Sequence, residues 1–206
     1  AELDALIADL RSDPAVELVV ADRRVKALAY TPNDPLFATG QWYLKAAQPS
    51  AIRADAAWDV SKGGVTPSTS PIIVAVLDTG VRADHPDLAG KLVPGYDFVN
   101  LPAAAGDGNG WDADPSDEGD FISAADLASG PFSGHSCGGG TNEDQPTDSS
   151  WHGTRVAGMI AANTDNGAGV AGTGFNIRVQ PVRVLAKCGG FNSDVLAGMY
   201  WAAGMS

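Results

Sequence analysis

The stretch that most constrains this sequence is the apolar run PIIVAVLD at residues 71–78, which ends on a carboxylate, Asp78. A continuous apolar run of this length suits a central parallel strand buried on both faces. Polar residues at the carboxyl end of such a strand sit where α/β proteins place ligands and chemistry. Asp78-Thr79-Gly80 is therefore the first candidate site.

The surrounding pattern is consistent with that strand. IRVQPVRVL at 177–185 reads as a second strand. WHGTRVAGMIAAN, from Trp151, reads as a helix with Val156, Met159, Ile160 and Asn163 tracing one face. SDVLAGMYWAAG opens another helix, with Ser193 as its cap. AIRADAAWDV forms a short helix within an otherwise loop-rich stretch from 31 to 70. Strand, helix, strand, helix implies a parallel sheet with helices on its faces. Residues 1–30 differ: Leu3, Leu6, Ile7 and Leu10 recur at helical spacing, Pro14 ends that helix, and VELVVADRRV alternates like a strand. A bare helix and strand must pack on something else. Residues 100–150 lack apolar periodicity, and a loop of that length has a function or a staple.

The formal net charge of −12 repels a polyanion, which argues against nucleic acid as a partner. No run of 18 apolar residues is present to cross a membrane. No basic-then-apolar leader follows Ala1, so a signal peptide is expected to have been removed or to lie outside the sequence. Between Asp107 and Asp126 stand six Asp and one Glu with no Lys or Arg, which is either a solvated loop or a site for a hard cation. Composition leaves Cys137 and Cys188 open between one disulfide and two free thiols. A bridge would close a loop of about 50 residues, worth roughly 4 kcal/mol in the chain-entropy treatment.

Two segments carry chemistry: VAVLDTGVRADHPDL at 74–88 and HGTRVAG at 152–158. A carboxylate at a strand tip can fix the tautomer of an imidazole at a helix start and stabilise its protonated form, which makes the His a general base. Taken together, Asp78-Thr79-Gly80, His85-Pro86-Asp87-Leu88 and His152-Gly153-Thr154 resemble the Asp and His motifs of the subtilisin family of serine proteases, in that family's Asp-before-His order. The resemblance covers residues 30–206 and is closest to thermitase-like members, because YTPNDP opens those mature chains.

The resemblance implies an α/β fold: a subtilisin-like three-layer sandwich with a parallel sheet, truncated on its C-terminal side. It implies a secreted, calcium-dependent serine endopeptidase acting on protein or peptide substrates, with Asp78 as triad acid and His152 as general base. His85 would be structural and His135 a surface residue. The nucleophile should lie in G-T-S-M-A, which is absent; Thr173-Gly174 and Met205-Ser206 do not match it. The Ser is thus expected on a C-terminal segment or second chain. The alternative is an inactive subtilisin-like module that binds peptides.

By the same resemblance, Lys187 to Phe191 would be an extended edge strand that pairs with substrate through Gly189, Gly190 and Phe191, a simple turn being the other reading. A tight calcium site would draw on Asp34, Asp87, the Asn166 side chain and the carbonyls of Asn163, Ala168 and Val170. A second would start at Asp97; beyond it this sequence diverges from the family with a longer insert, where the spacing of acids points to Asp107, Asp112, Asp114 and Asp117, a solvated acidic loop being the other reading. Residues 1–29 would be the last helix and strand of an inhibitory propeptide, cut near Ala29 and Tyr30, with residues 30–206 the N-terminal part of the catalytic domain; a plain extension is the alternative. Placement beside the cleft favours a Cys137–Cys188 disulfide.

Overall fold

A computed structural model describes residues 2–17, 19, 30–45, 49–64, 70–133, 137 and 145–205. The elements are helices α1 (Glu2–Arg11), α2 (Pro35–Gly40) and α3 (Ala54–Ala57), strands β1 (Ile73–Asp78) and β2 (Tyr96–Asp97), helices α4 (Pro102–Ala105), α5 (Ala124–Ala128) and α6 (His152–Ala161), strand β3 (Arg178–Arg183) and helix α7 (Asn192–Ala202). Two 3-10 turns, Trp42–Leu44 and Pro86–Leu88, tighten the connections.

The sheet is parallel, in the order β1-β3-β2. β1 pairs with β3 from Ile73↔Arg178 to Asp78↔Arg183. Pro181 lies inside β3 and has no N–H to give, and the ladder on its far side is split there. An isolated bridge joins Leu92 to Val179, and pairing resumes at Tyr96↔Val182. β3, not β1, is therefore the central strand of the described sheet. In the described sheet β1 is an outer strand, Ile72 and Ile73 are exposed, and burial is deepest toward its carboxyl end.

Helices cover both faces, giving three layers. Under α6, Val76, Val81, Leu88, Ala157, Ala161 and Val179 form one core, extended by Val156 and Ile160. Under α7, Phe98, Val182 and Val184 form another, with Tyr96, Val195 and Trp201 against them. Fully burying one such aliphatic side chain contributes roughly 1.5–3 kcal/mol. The buried face of α6 thus runs through Val156, Ala157, Ile160 and Ala161. Met159 points to solvent and Asn163 lies past the helix end, contrary to the face expected for them. α7 begins one residue earlier than expected. Phe191 occupies its N-cap without a side-chain bond, so Ser193 is not the cap; its hydroxyl lies 3.5 Å from the buried Asp194 carboxylate.

A third core gathers Phe37, Leu44, Ala54, Trp58 and Ala171, with Tyr30 and Phe175 packed on it. Tyr30 meets Trp58 and Phe175 edge-on, and Lys62 caps the cluster 3.5 Å from the Tyr30 ring centroid. The expected N-terminal helix is present as α1, where Leu6 and Leu10 are exposed. Most of the strand expected after it, with Ala29 of the processing site and His135, lies outside the described residues.

Candidate active site

β1 delivers Asp78 to the carboxyl end of the sheet, and α6 begins on His152 directly opposite. His152 Nδ1 lies 2.8 Å from both Asp78 Oδ1 and Oδ2. Asp78 Oδ1 also accepts the Thr79 N–H at 2.7 Å. The carboxylate side chain is 10% exposed and the imidazole 62%. A buried anion on Nδ1 selects the tautomer with its proton there. Nε2 is left as a basic nitrogen facing the cleft, the arrangement a general base requires. Among the described residues, no hydroxyl or thiol is hydrogen-bonded to Nε2.

The close approach depends on two glycines. A Cβ on Gly153 would strike the Gly80 carbonyl oxygen and lie 3.1 Å from Asp78 Cβ. Gly80, at φ +94°, faces the Pro115 carbonyl just as closely. Trp151 supplies the N-cap of α6 from the left-handed region, at φ +51°. An L residue there costs of order 1–3 kcal/mol and persists only where its surroundings hold it. Arg82 sits 5.3 Å from the Trp151 ring centroid, donates its N–H to Thr154 Oγ1 at 2.9 Å, and is locked by a two-point pair with Asp84. Asp120 fixes the preceding turn by accepting both the backbone N–H and the hydroxyl of Ser150, at 2.6 and 2.8 Å. Trp151, Asp120 and the Thr79–Asp117 contact described below were missed by sequence reasoning. Only the adjacency of Trp151 to the His motif was a local signal.

His152 and Thr79 line a cavity of about 450 Å³ with Asp120, Leu185, Ala186, Gly189 and both half-cystines. Cys137 and Cys188 are joined by a disulfide that forms part of its wall. The expected substrate segment does not run straight. Ala186 and Gly189 exchange backbone hydrogen bonds at 2.8 and 3.0 Å, closing a turn with positive φ at Cys188 and Gly189. Gly190 packs against the Val184 carbonyl, and Phe191 is exposed. The edge strand expected from Lys187 to Phe191 is therefore a turn, because a left-handed pair cannot continue a strand. The residues of this segment that face His152 are Leu185, Ala186 and Gly189.

The acidic residues fall into two groups. Asp34 and Asp87 are both buried and both held to the loop 163–170. Asp34 Oδ2 accepts the Asp165 N–H at 2.9 Å, while Asp34 Oδ1 is buried without a partner. Asp87 Oδ1 and Oδ2 face Asn166 Nδ2 at 2.7 Å and the Val170 N–H at 3.1 Å. A Cβ on Gly169 would overlap the Asp87 carboxylate. Among the described residues, the carbonyls of Asn163, Ala168 and Val170 accept no hydrogen bond. His85 is exposed and structural in its contact: its Nδ1 accepts the Asp87 N–H at 3.2 Å.

The run from Asp97 to Asp117 is satisfied differently. Asp97, fully buried, pairs with buried Arg183 at 2.6 Å and accepts the Val99 N–H at 2.7 Å. Burial nonetheless pushes its carboxyl up to about 6. Asp107 lies 3.3 Å from the same guanidinium, which also donates to the Ala105 carbonyl. Asp107, Asp112, Asp114 and Asp117 each accept the N–H two residues on, from Asn109, Asp114, Ser116 and Gly119. These are Asx turns, in which the side chain substitutes for a backbone turn bond. Among the described residues, no three His, Cys, Asp or Glu side chains converge on one point. Further along, Ser123 and Asp126 form a capping box for α5, and those Ser123 bonds, with Lys187, hold the Asp126 carboxyl below its ordinary range.

Comparison with known proteins agrees with this geometry. The extracellular basic protease of Dichelobacter nodosus is 42% identical over 199 residues, covering 95% of this chain and 29% of that protein. An extracellular protease of Xanthomonas campestris is 40% identical, over 99% of this chain and 31% of its own length. Thermitase of Thermoactinomyces vulgaris is 34% identical, over 84% and 44%. A solved protease structure from Pseudoalteromonas arctica is similar with a TM-score of 0.70 at 44% identity, over 85% of this chain and 45% of that one. The chain thus spans under half the length of these relatives. No helix among the described residues is long and apolar enough to cross a membrane. The Subtilase family model of peptidases matches residues 69–206, and the chain belongs to that family.

Proposed function

We propose that this chain supplies the acid and the base of a secreted serine endopeptidase, with the nucleophilic Ser on a segment outside residues 1–206. The observation that carries the reading is the pair of 2.8 Å contacts from His152 Nδ1 to a buried Asp78, with Nε2 open to the cleft. In that role His152 takes the Ser proton as the hydroxyl attacks the peptide carbonyl, then returns it to the leaving amine. Asp78 holds the ring and stabilises the imidazolium while remaining ionised. Peptide substrate would lie along Leu185 to Gly189, whose glycine permits close backbone approach. Secretion is supported by the two relatives named as extracellular proteases and by the disulfide.

A calcium ion fits Asp34, Asp87 and the loop 163–170. An unpartnered buried carboxylate oxygen, a second buried carboxylate and three free carbonyls suit a hard cation of coordination six to eight. Turning the Asn166 amide would offer its oxygen as well. Such an ion supplies no chemistry to the reaction; it would tie the N-terminal arm to the loop after α6. Residues 1–29 are read as the end of an inhibitory propeptide, supported by the docking of Tyr30 into the aromatic cluster just beyond it.

The test uses the full protease carrying this sequence and a G-T-S-M-A segment. It should label with a fluorophosphonate, and His152→Ala should cut peptide hydrolysis by about 10⁴-fold or more. Wild-type protein that is folded yet inert to the probe would support the peptide-binding alternative instead.

A further inference from the structure

We propose that Asp117 is a positioning residue for the His152–Asp78 pair, acting through the Thr79 hydroxyl; the inference rests on the proteolytic reading above. Asp117 is buried and makes no ion pair among the described residues. Two backbone bonds pin its loop beside the Asp78 turn: Val81 N–H to the Pro115 carbonyl and Asp117 N–H to the Val81 carbonyl, both 3.1 Å. Its Oδ1 is used by the Gly119 N–H, and its Oδ2 accepts the Thr79 hydroxyl at 2.7 Å. Thr79 is buried as well, and its Oγ1 accepts the Gly153 N–H at 3.0 Å. Gly153 follows His152 in the first turn of α6, where backbone N–H groups have no partner within the helix.

A hydroxyl has one proton. Here that proton is committed to Asp117, which turns a lone pair toward Gly153 and so ties the His-bearing helix to the Asp-bearing strand. The commitment also keeps the proton off Asp78, the neighbouring residue, whose two oxygens both face the imidazole. Without Asp117 the Thr79 side chain loses that anchor and can rotate about χ1, bringing its hydroxyl to Asp78 to compete with His152 for it. A donor on Asp78 spreads its charge, weakens the stabilisation of the imidazolium and lowers the pH at which the base is protonated. The charged groups facing this region are Asp78 on β1, Asp117 behind Thr79, Asp120 and Asp148 in the shared cavity, and Arg82 with Asp84 beside Trp151.

The experiment measures kcat/KM against pH, with melting temperature, for the full protease and its Asp117→Ala, Asp117→Asn, Thr79→Val and Asp117→Ala/Thr79→Val variants. Asp117→Ala should lower kcat/KM about tenfold, the scale of one hydrogen bond. It should also move the acid limb down by about half a pH unit. Asp117→Asn, whose one amide oxygen cannot serve both the Gly119 N–H and the Thr79 hydroxyl, should move the limb in the same direction by a smaller step. With the hydroxyl removed by Thr79→Val, adding Asp117→Ala should not move the limb further. An unmoved limb in Asp117→Ala, or a shift of equal size in the Thr79→Val background, would overturn the proposal. If Asp117→Ala does not fold, the decision passes to Asp117→Asn and Thr79→Ser: the first should lower the limb and the second should keep it, and the opposite result in either overturns the proposal. A wild type inert to a fluorophosphonate removes the proteolytic reading and this inference with it.

Discussion

The two acidic regions of the molecule contain the same residue type and behave in opposite ways. Asp34 and Asp87 stand 53 positions apart in the numbering, yet both face one loop, and Asp34 keeps a buried oxygen without a partner among the described residues. The run from Asp107 to Asp117 is dense in acids, but each carboxylate is spent on the backbone two residues on, and Asp97 and Asp107 already have a cation in Arg183. The two regions differ in oxygen valence left unmet, not in the local density of acids.

The largest test of this contrast is Arg183→Met. It leaves Asp97 buried without its partner and should cost about 3–5 kcal/mol at neutral pH. The loss should shrink below pH 6, where Asp97 takes a proton; urea unfolding at pH 7 and pH 5 reads both. An equal loss at the two pH values would mean that Arg183 acts through packing alone.

Calcium withdrawal comes next. EDTA should remove roughly 3 kcal/mol of stability if the ion is bound at about 100 times its Kd, seen as a fall in Tm. Asp87→Asn should abolish most of that sensitivity, whereas Asp112→Asn and Asp114→Asn should preserve it. The reverse ranking would move the ion to the acidic run.

The pH dependence of Asp97 follows. Its folded pKa, about 6, lies above the ordinary 3.8. The folded state therefore binds the extra proton, and this stabilising contribution is complete below pH 4 and lost as pH rises through 6. The loss is on the order of 2 kcal/mol and should be absent from Asp97→Asn, so the difference between the two unfolding curves from pH 4 to 7 isolates it. The smallest effect is Asp114→Ala, which removes one exposed Asx turn and should cost about 0.5–1 kcal/mol in the same assay.

The Asp78–His152 pair was legible because each member is announced by its neighbours: an apolar run ending on Asp78, and a small-residue helix opening on His152. The grouping of Asp34 and Asp87 around one loop was expected only from the resemblance, since the residues are scattered along the sequence. Spacing is ambiguous at the acidic run, where one acid at every second or third position serves a ligand loop and a chain of Asx turns equally well. It misled at 187–191, where the left-handed backbone of Cys188 has no signature in a residue that usually avoids it. The Asp97–Arg183 pair depends on which segments lie alongside one another, and no local pattern encodes that.

The grip of the N-terminal arm on the loop after α6 also bears on when this protein can finish folding. Asp34 holds residue 165, and Gln41 makes two bonds to Ala171, across 131 and 130 positions. Contacts so distant along the chain are slow to close. A ribosome adding roughly 5–20 residues per second must run for many seconds after releasing the arm before its anchor exists. Until then the aromatic cluster around Trp58 lacks Ala171 and Phe175, and the nascent arm is a natural client for a chaperone.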